Sequence, residues 1–256
     1  MTPQKNIYFL SDAHLGSLAI PNDRERELHL VHFLDSIKLQ AQAVYLLGDV
    51  FDFWYEYRHV VPKGHTRLLG KLGELTDMGV EIHFFPGNHD LWCNDYLEKE
   101  CGLVLHRDLL VAQLDGKVFC MGHGDGLDRN DTSYLLLRRI FHSHFCQRLF
   151  SAIHPRWGMA FGLTWAKHSR KKHEKAEGIF LGAEQDGLCN FAQKYLDTHP
   201  DINYFLFGHA HVEVDVPLTD TARLIILGDW ISQYTYAVWD GQDVEIRHFT
   251  KEQTTL

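Results

Sequence analysis

Five short apolar runs in this chain each end in a tight polar loop built from Gly, Asp, Asn and His. Residues 6–10 (NIYFL) run into Ser11-Asp12, 43–47 (AVYLL) into Gly48-Asp49, and 80–85 (VEIHFF) into Pro86-Gly87-Asn88-His89-Asp90. Residues 117–121 (KVFCM) run into Gly122-His123-Gly124-Asp125, and 204–207 (YFLF) into Gly208-His209-Ala210-His211. Runs of this length and composition read as buried strands. In an open α/β sheet the crevice beyond the strand C-termini is where the backbone turns and side chains converge on a ligand. The placement predicts an α/β fold with one polar site.

The intervening segments fit that reading. Leu28, Val31, Phe33, Leu34 and Ile37 give helical spacing over 23–40, and a second helical segment covers about 65–78. Asp115-Gly116 suits a two-residue hairpin turn between 109–114 and 117–121, and 223–227, 234–239 and 244–249 read as further strands. From Asn130 to about Leu196 the pattern is helical, with Tyr134, Leu137, Ile140, Phe141, Phe145, Leu149 and Phe150 on one stripe, then Trp157, Met159, Phe161, Leu163 and Trp165. We expect a core of 1–129 and 199–256, with 130–198 inserted as a helical cap.

Composition narrows the function. A net charge of −9 argues against a broad nucleic-acid surface, although 167–175 (KHSRKKHEK) is locally basic, either as a solvated helix face or as an anion site. The five cysteines never show C-x-x-C spacing and read as reduced thiols of a cytosolic protein. No secretory signal is legible at the start, and no apolar run reaches the roughly 18 residues needed to span a bilayer. The 18 histidines are about twice average usage, and histidine is the commonest metal ligand.

Asp12-x-His14 turns two side chains to one face of an extended segment. Taken singly, each loop has a plain reading: a capping Asp, an Asx-turn, a structural His. Together they supply two carboxylates (Asp12, Asp49), one amide (Asn88) and four imidazoles (His14, His123, His209, His211). That set can hold two divalent ions with Asp49 shared, an arrangement used for hydrolysis at phosphorus.

In their order SDAH, GDVFD, GNHD, GHGD and GHAH, spread from residue 11 to 211, these motifs resemble the calcineurin-like metallophosphoesterase family. The resemblance implies a four-layer α-β-β-α sandwich. It also implies Asp12, His14, Asp49 and His211 around one ion, and Asp49, Asn88, His123 and His209 around the other, with manganese favoured. His89 would face substrate unliganded, stabilising charge or protonating the leaving oxygen. Asp90 and Asp52 would orient their neighbours or serve as plain turn residues.

HGDGLDRNDTSYLLLRR (123–139), the helical insertion and LGDW (227–230) are similar to the bacterial UDP-2,3-diacylglucosamine pyrophosphatase family of lipid A biosynthesis. That resemblance implies cleavage of a nucleotide-sugar lipid to UMP and a diacylglucosamine 1-phosphate at the cytoplasmic face of the inner membrane. No nucleic acid and no obligate protein partner are expected. Asn88, His89, Asp131, Tyr134, Ser169, Lys172, Lys175 and His209 would contact substrate; within the basic segment, Arg170 and Lys171 are further candidates. The chain departs from the enteric branch of the family, which reads GNRD where this sequence has GNHD. Other readings are a phosphodiesterase or phosphatase of the same fold on another nucleotide or a phospholipid-like substrate, a nuclease, which the net acidity disfavours, and a non-catalytic scaffold, which would have no need of seven converging ligands.

Overall fold

The computed structural model describes residues 5–128, 132–173, 180 and 182–250, with Ser133 and residues 171–173 described by backbone alone. Two twisted sheets lie face to face. The first has β1 (Asn6–Leu10), β2 (Ala41–Leu46), β3 (Glu81–Phe84) and β4 (Val104–Leu105) parallel to one another, with β10 (Thr235–Trp239) antiparallel to β1 and β11 (Val244–His248) antiparallel to β10. The second runs β5 (Leu110–Leu114), β6 (Lys117–Met121), β7 (Tyr204–Phe207), β9 (Arg223–Ile226), β8 (Val214–Pro217), with β6, β7 and β9 parallel.

Strand periodicity explains the layering. Along β1, Ile7 and Phe9 point between the sheets onto Phe119, Met121 and Leu206. Tyr8 and Leu10 point the other way, under α1 (Asp23–Ile37) and α2 (Thr66–Asp77), where Leu30, Phe33, Leu34, Leu68 and Leu72 cover them. Because both faces of these strands are buried, they read as continuous apolar runs. On the far side of the second sheet, α7 (Gly187–Leu196) packs Leu188, Ala192 and Leu196 onto Phe205, Phe207 and Ile226. The result is an α-β-β-α sandwich.

That packing divides the expected insertion. Residues 187–196 form the outer helix layer of the second sheet, with Asp186 capping α7 by accepting from Cys189 N at 2.8 Å. The part that stands away from the sheets is α4 (Thr132–His142), α5 (His144–Ser151) and α6 (Pro155–His173). The apolar stripe expected over 134–150 is not continuous either, because the chain breaks at Ser143, the N-cap of α5. Leu137, Phe141 and Phe150 turn inward, whereas Phe145 and Leu149 are 69% and 58% exposed. The cap is tied to the core where Tyr55 Oη donates to Gln147 O at 3.0 Å and Trp92 Nε1 to Phe141 O at 2.9 Å. Among the described residues no helix is long and apolar enough to cross a membrane.

The hairpin turn is as expected, with Asp115 and Gly116 at φ 45° and 85°, both left-handed. The short elements α3 (Tyr96–Cys101), β4 and β8 carry too few residues to show a period in the sequence.

Candidate metal centre and substrate cleft

The parallel strands of both sheets bring their C-terminal ends to one edge of the sandwich. Asp12 and His14 follow β1, Asp49 follows β2, Asn88 and His89 follow β3, His123 follows β6, and His209 and His211 follow β7. The loops are laced to one another: Asp12 N donates to Gly48 O at 3.0 Å, His14 N to Asp49 O at 2.9 Å, and Gly208 N to His123 O at 2.9 Å. Asp12, His14, Asp49, His209 and His211 all have positive φ, between 43° and 70°. Side chains other than Gly rarely adopt that conformation, and clusters of such residues mark sites where the fold holds strained backbone for a purpose.

The side chains converge in two groups. Asp12, His14 and His211 offer ligand atoms within 4.8 Å of one another, and so do Asp49, His123 and His209. In the first, His14 Nε2 lies 3.2 Å from His211 Nε2 and 3.7 Å from Asp12 Oδ1, and His211 Nε2 lies 3.5 Å from Asp12 Oδ1. In the second, His123 Nε2 lies 3.4 Å from Asp49 Oδ2 and 3.3 Å from Asn88 Oδ1. Asp49 Oδ2 is also 3.6 Å from His14 Nε2, so this carboxylate stands between the groups.

These spacings fit a divalent ion. Ligand atoms about 2.1 Å from a shared ion sit roughly 3 to 3.5 Å from their neighbours. Asp12 Oδ1 is buried with no hydrogen-bond partner among the described residues, a costly state for a carboxylate oxygen unless a cation meets it. Two glycines keep the cradle open: a Cβ on Gly208 would come within 2.6 Å of Asp12 Oδ2, and one on Gly48 within 2.5 Å of His123 Nδ1. Charge tells the same story. Burial pushes the Asp12 carboxyl up, but His211, His14 and His123 outweigh it and hold it at about 2. Burial opposes a charged His14, yet Asp12, Asp52 and Asp49 raise it to about 9. Burial dominates at His211, which falls to about 4. The buried carboxylates demand positive charge, which bound cations would supply.

Four of these imidazoles have an oxygen near Nδ1: a hydrogen-bonded carbonyl at His123 and His89, and a nearby carboxylate at His14 and His211. His123 Nδ1 meets Leu47 O at 2.8 Å, leaving Nε2 for the site. His14 Nδ1 lies 3.4 Å from Asp52 Oδ1, and His211 Nδ1 lies 4.0 Å from Asp229 Oδ2. His89 Nδ1 meets Asp52 O at 2.9 Å, and its ring stands edge-on to His14 at 4.7 Å, within reach of the shared Asp49. Asp90 binds loop backbone, accepting from Gly87 N at 2.7 Å and Phe51 N at 3.2 Å; burial and the Asp49 charge push it up to about 7.

Two cavities open from this centre. A polar cleft of 320 Å³ is lined by His14, Asp49, Ser169, Arg170, His209 and His211, among others. An apolar chamber of 360 Å³ lies between core and cap, walled by Phe53, Trp92, Leu137, Phe141, Phe150 and Trp165. The two share Asn88, His89, Tyr134 and Ser169.

No family model matches the chain. It is, however, 43% identical over 251 residues, 93% of this chain and 95% of the other, to a UDP-2,3-diacylglucosamine hydrolase of Porphyromonas gingivalis. The chain belongs to the UDP-2,3-diacylglucosamine hydrolase family. Hydrolases of the same name from Neisseria gonorrhoeae (31% over 230 residues; 89% of this chain, 90% of the other) and Haemophilus influenzae (29% over 235 residues; 90% and 92%) are also similar to it.

Of the substrate contacts expected from sequence, Asn88, His89, Tyr134 and Ser169 lie at the seam of the two cavities, and His209 lies in the polar cleft. Tyr134 Oη donates to Asp125 Oδ2 at 2.9 Å, which Arg138 Nε also meets at 2.8 Å. Asp131 and Lys175 fall outside the described residues, and Lys172 is placed on α6 without its side chain. Asp229 belongs to the LGDW segment and shows no ligand spacing in the sequence. Its role is visible in space: besides backing His211 it accepts from Ile231, Ser232 and Gln233 backbone N–H groups.

Proposed function

We propose that this chain hydrolyses the pyrophosphate of UDP-2,3-diacylglucosamine to UMP and 2,3-diacylglucosamine 1-phosphate, using two divalent ions, manganese by preference. The observation that carries this reading is the seam. A substrate with a charged diphosphate next to two acyl chains needs a cation-binding cleft opening directly into an apolar chamber, and Asn88, His89, Tyr134 and Ser169 belong to both.

Asp12, His14, Asp49 and His211 would hold one ion, and Asp49, Asn88, His123 and His209 the other. When bound, such a pair supplies Lewis acidity to phosphate oxygens and an acidified water at neutral pH. The chain's own residues do the rest. Asn88 and His89 meet the phosphate at the seam, and Asp52 fixes His89 through its Nδ1. The aromatic walls of the chamber take the acyl chains out of water and align the diphosphate. Purified chain loaded with manganese is expected to release UMP from UDP-2,3-diacylglucosamine and far less from UDP-N-acetylglucosamine. Equal release from both substrates, or from neither, refutes the assignment.

The outer face of the cap supports work at a bilayer surface. Phe145 and Leu149 on α5, Ile153 in the turn that follows and Trp157 on α6 are exposed, and the Arg156 guanidinium lies 5.7 Å over the Trp157 ring. Exposed aromatics beside cationic side chains suit the headgroup boundary of anionic lipid. The protein is expected to float with phosphatidylglycerol vesicles, and the Phe145→Ser/Trp157→Ser double variant to stay behind. Wild-type protein remaining wholly unbound would end the membrane reading.

A further inference from the structure

We propose that Arg170, delivered by the cap, is the residue that clamps a substrate phosphate oxygen in the cleft, and that Asp52 holds it in position; this rests on the phosphohydrolase reading above. Arg170 lies in the last turn of α6 and points back to the core, with its side chain only 11% exposed. Its Nη2 is 3.1 Å from Asp52 Oδ1. Asp52 is wholly buried, and the same Oδ1 stands 3.4 Å from His14 Nδ1. One carboxylate oxygen thus connects the cap's guanidinium to an imidazole of the metal centre.

Two features separate a clamp from a plain staple between cap and core. First, Arg170 is the only Arg or Lys among the described residues lining the polar cleft. Every other cationic charge offered there depends on an imidazole, whereas a guanidinium keeps its charge at any working pH. Second, its fork is under-used. Asp52 engages it through one oxygen, and Arg170 Nε is buried with no hydrogen-bond partner among the described residues. A buried unsatisfied donor is costly, and a planar fork of N–H groups matches the oxygens of a phosphate. A group bound in the cleft beside Asn88 and His89 would satisfy it. Since the ion-binding side chains belong to the core and Arg170 to the cap, the full set of phosphate contacts exists only when the cap is docked. Substrates that fill the chamber beneath the cap would therefore favour the reactive arrangement.

The experiment compares wild-type, Arg170→Ala, Arg170→Lys and Asp52→Asn as manganese-loaded full chains. Initial rates are taken on UDP-2,3-diacylglucosamine and on bis(p-nitrophenyl) phosphate, and UMP binding is measured by calorimetry. Arg170→Ala is expected to lose kcat on the order of a hundredfold, as when one charge-stabilising donor is removed from an active site, with manganese content unchanged. Its Kd for UMP should weaken about tenfold, and added guanidinium ion at non-denaturing concentration should restore part of the rate. Arg170→Lys should fall between, because it keeps the charge and loses the fork. Asp52→Asn should lower kcat and reduce the benefit of Arg170, so that the double variant is no worse than Arg170→Ala. Wild-type kcat and UMP affinity in Arg170→Ala, or a loss that follows manganese content and ignores guanidinium, overturns the clamp. Wild-type protein that turns over the simple diester but not the lipid overturns the substrate assignment instead, and the variants still read the clamp on the diester. If wild-type hydrolyses neither, the phosphohydrolase reading fails, and equal UMP affinity in wild-type and Arg170→Ala removes the clamp independently.

Discussion

Asp49→Asn is expected to cut phosphoester hydrolysis by about a thousandfold, equivalent to roughly 4 kcal/mol of transition-state stabilisation, while the protein stays folded. Asp49 is the carboxylate standing between the two ligand groups, 3.6 Å from His14 Nε2 and 3.4 Å from His123 Nε2. Asparagine is the appropriate replacement for three reasons. It tolerates the left-handed backbone that Asp49 adopts at φ 51°. Its amide oxygen can still accept from His89 N, which Asp49 Oδ1 does at 2.8 Å. It removes only the charge that two cations would share. Burial would push the Asp49 carboxyl up, yet His123, His89 and His14 hold it well below the carboxylate range. The charge is therefore part of the resting site, and its loss falls on ion retention. Metal analysis should find fewer than two ions per chain after dialysis, and circular dichroism should report an intact fold. A variant that keeps both ions and full activity would sink the shared-carboxylate assignment.

The convergence of these side chains was legible because all seven follow the ends of short apolar runs, and in four of the five loops a Gly stands beside Asp, Asn or His. Backbone geometry explains the glycines. Gly87 has no room for a side chain, since a Cβ there would lie 2.7 Å from Asp49 N. The layered fold was legible for a related reason, as strands buried on both faces leave uninterrupted apolar runs. The cap was harder. Its aromatic stripe, Trp157, Phe161 and Trp165, is 66%, 56% and 46% exposed, and of the three only Phe161 and Trp165 border the apolar chamber. The side of α6 that approaches the core passes through Gly162 and Ala166, where smallness lets the helix close on Phe53. Small residues at helical spacing carry no hydrophobic signal, and so the turn that aims Ser169 and Arg170 into the cleft was not distinguishable from the rest of the basic segment. The place of α7 was lost in the same way: its Leu188, Ala192 and Leu196 look like any amphipathic helix until the second sheet is seen beneath them.

His89→Ala is expected to lower kcat about a hundredfold, the ordinary worth of one positioned proton-transfer or charge-stabilising group, with a smaller change in KM. His89→Arg should recover most of that loss on a diphosphate substrate. The ring's Nδ1 is occupied by the Asp52 carbonyl at 2.9 Å, so Nε2 is the nitrogen that faces the seam. What Nε2 must do depends on the leaving group. Cleavage of a pyrophosphate expels a phosphate monoester, whose second pKa is about 6, so the departing oxygen needs no proton at neutral pH and charge stabilisation is enough. Arginine supplies that charge permanently but has no proton to give. The side chain at position 89 is 12% exposed and borders both cavities, which gives a longer residue an exit into the cleft. On a phosphodiester with an alkoxide leaving group, where a proton is required, His89→Arg should instead remain as slow as His89→Ala. The ratio of the two rescues is the measurement. Recovery on the alkyl ester equal to that on the diphosphate would show that proton donation is no part of what this histidine contributes. Failure on both would show that the imidazole itself, held by Asp52 against His14, is what the reaction requires.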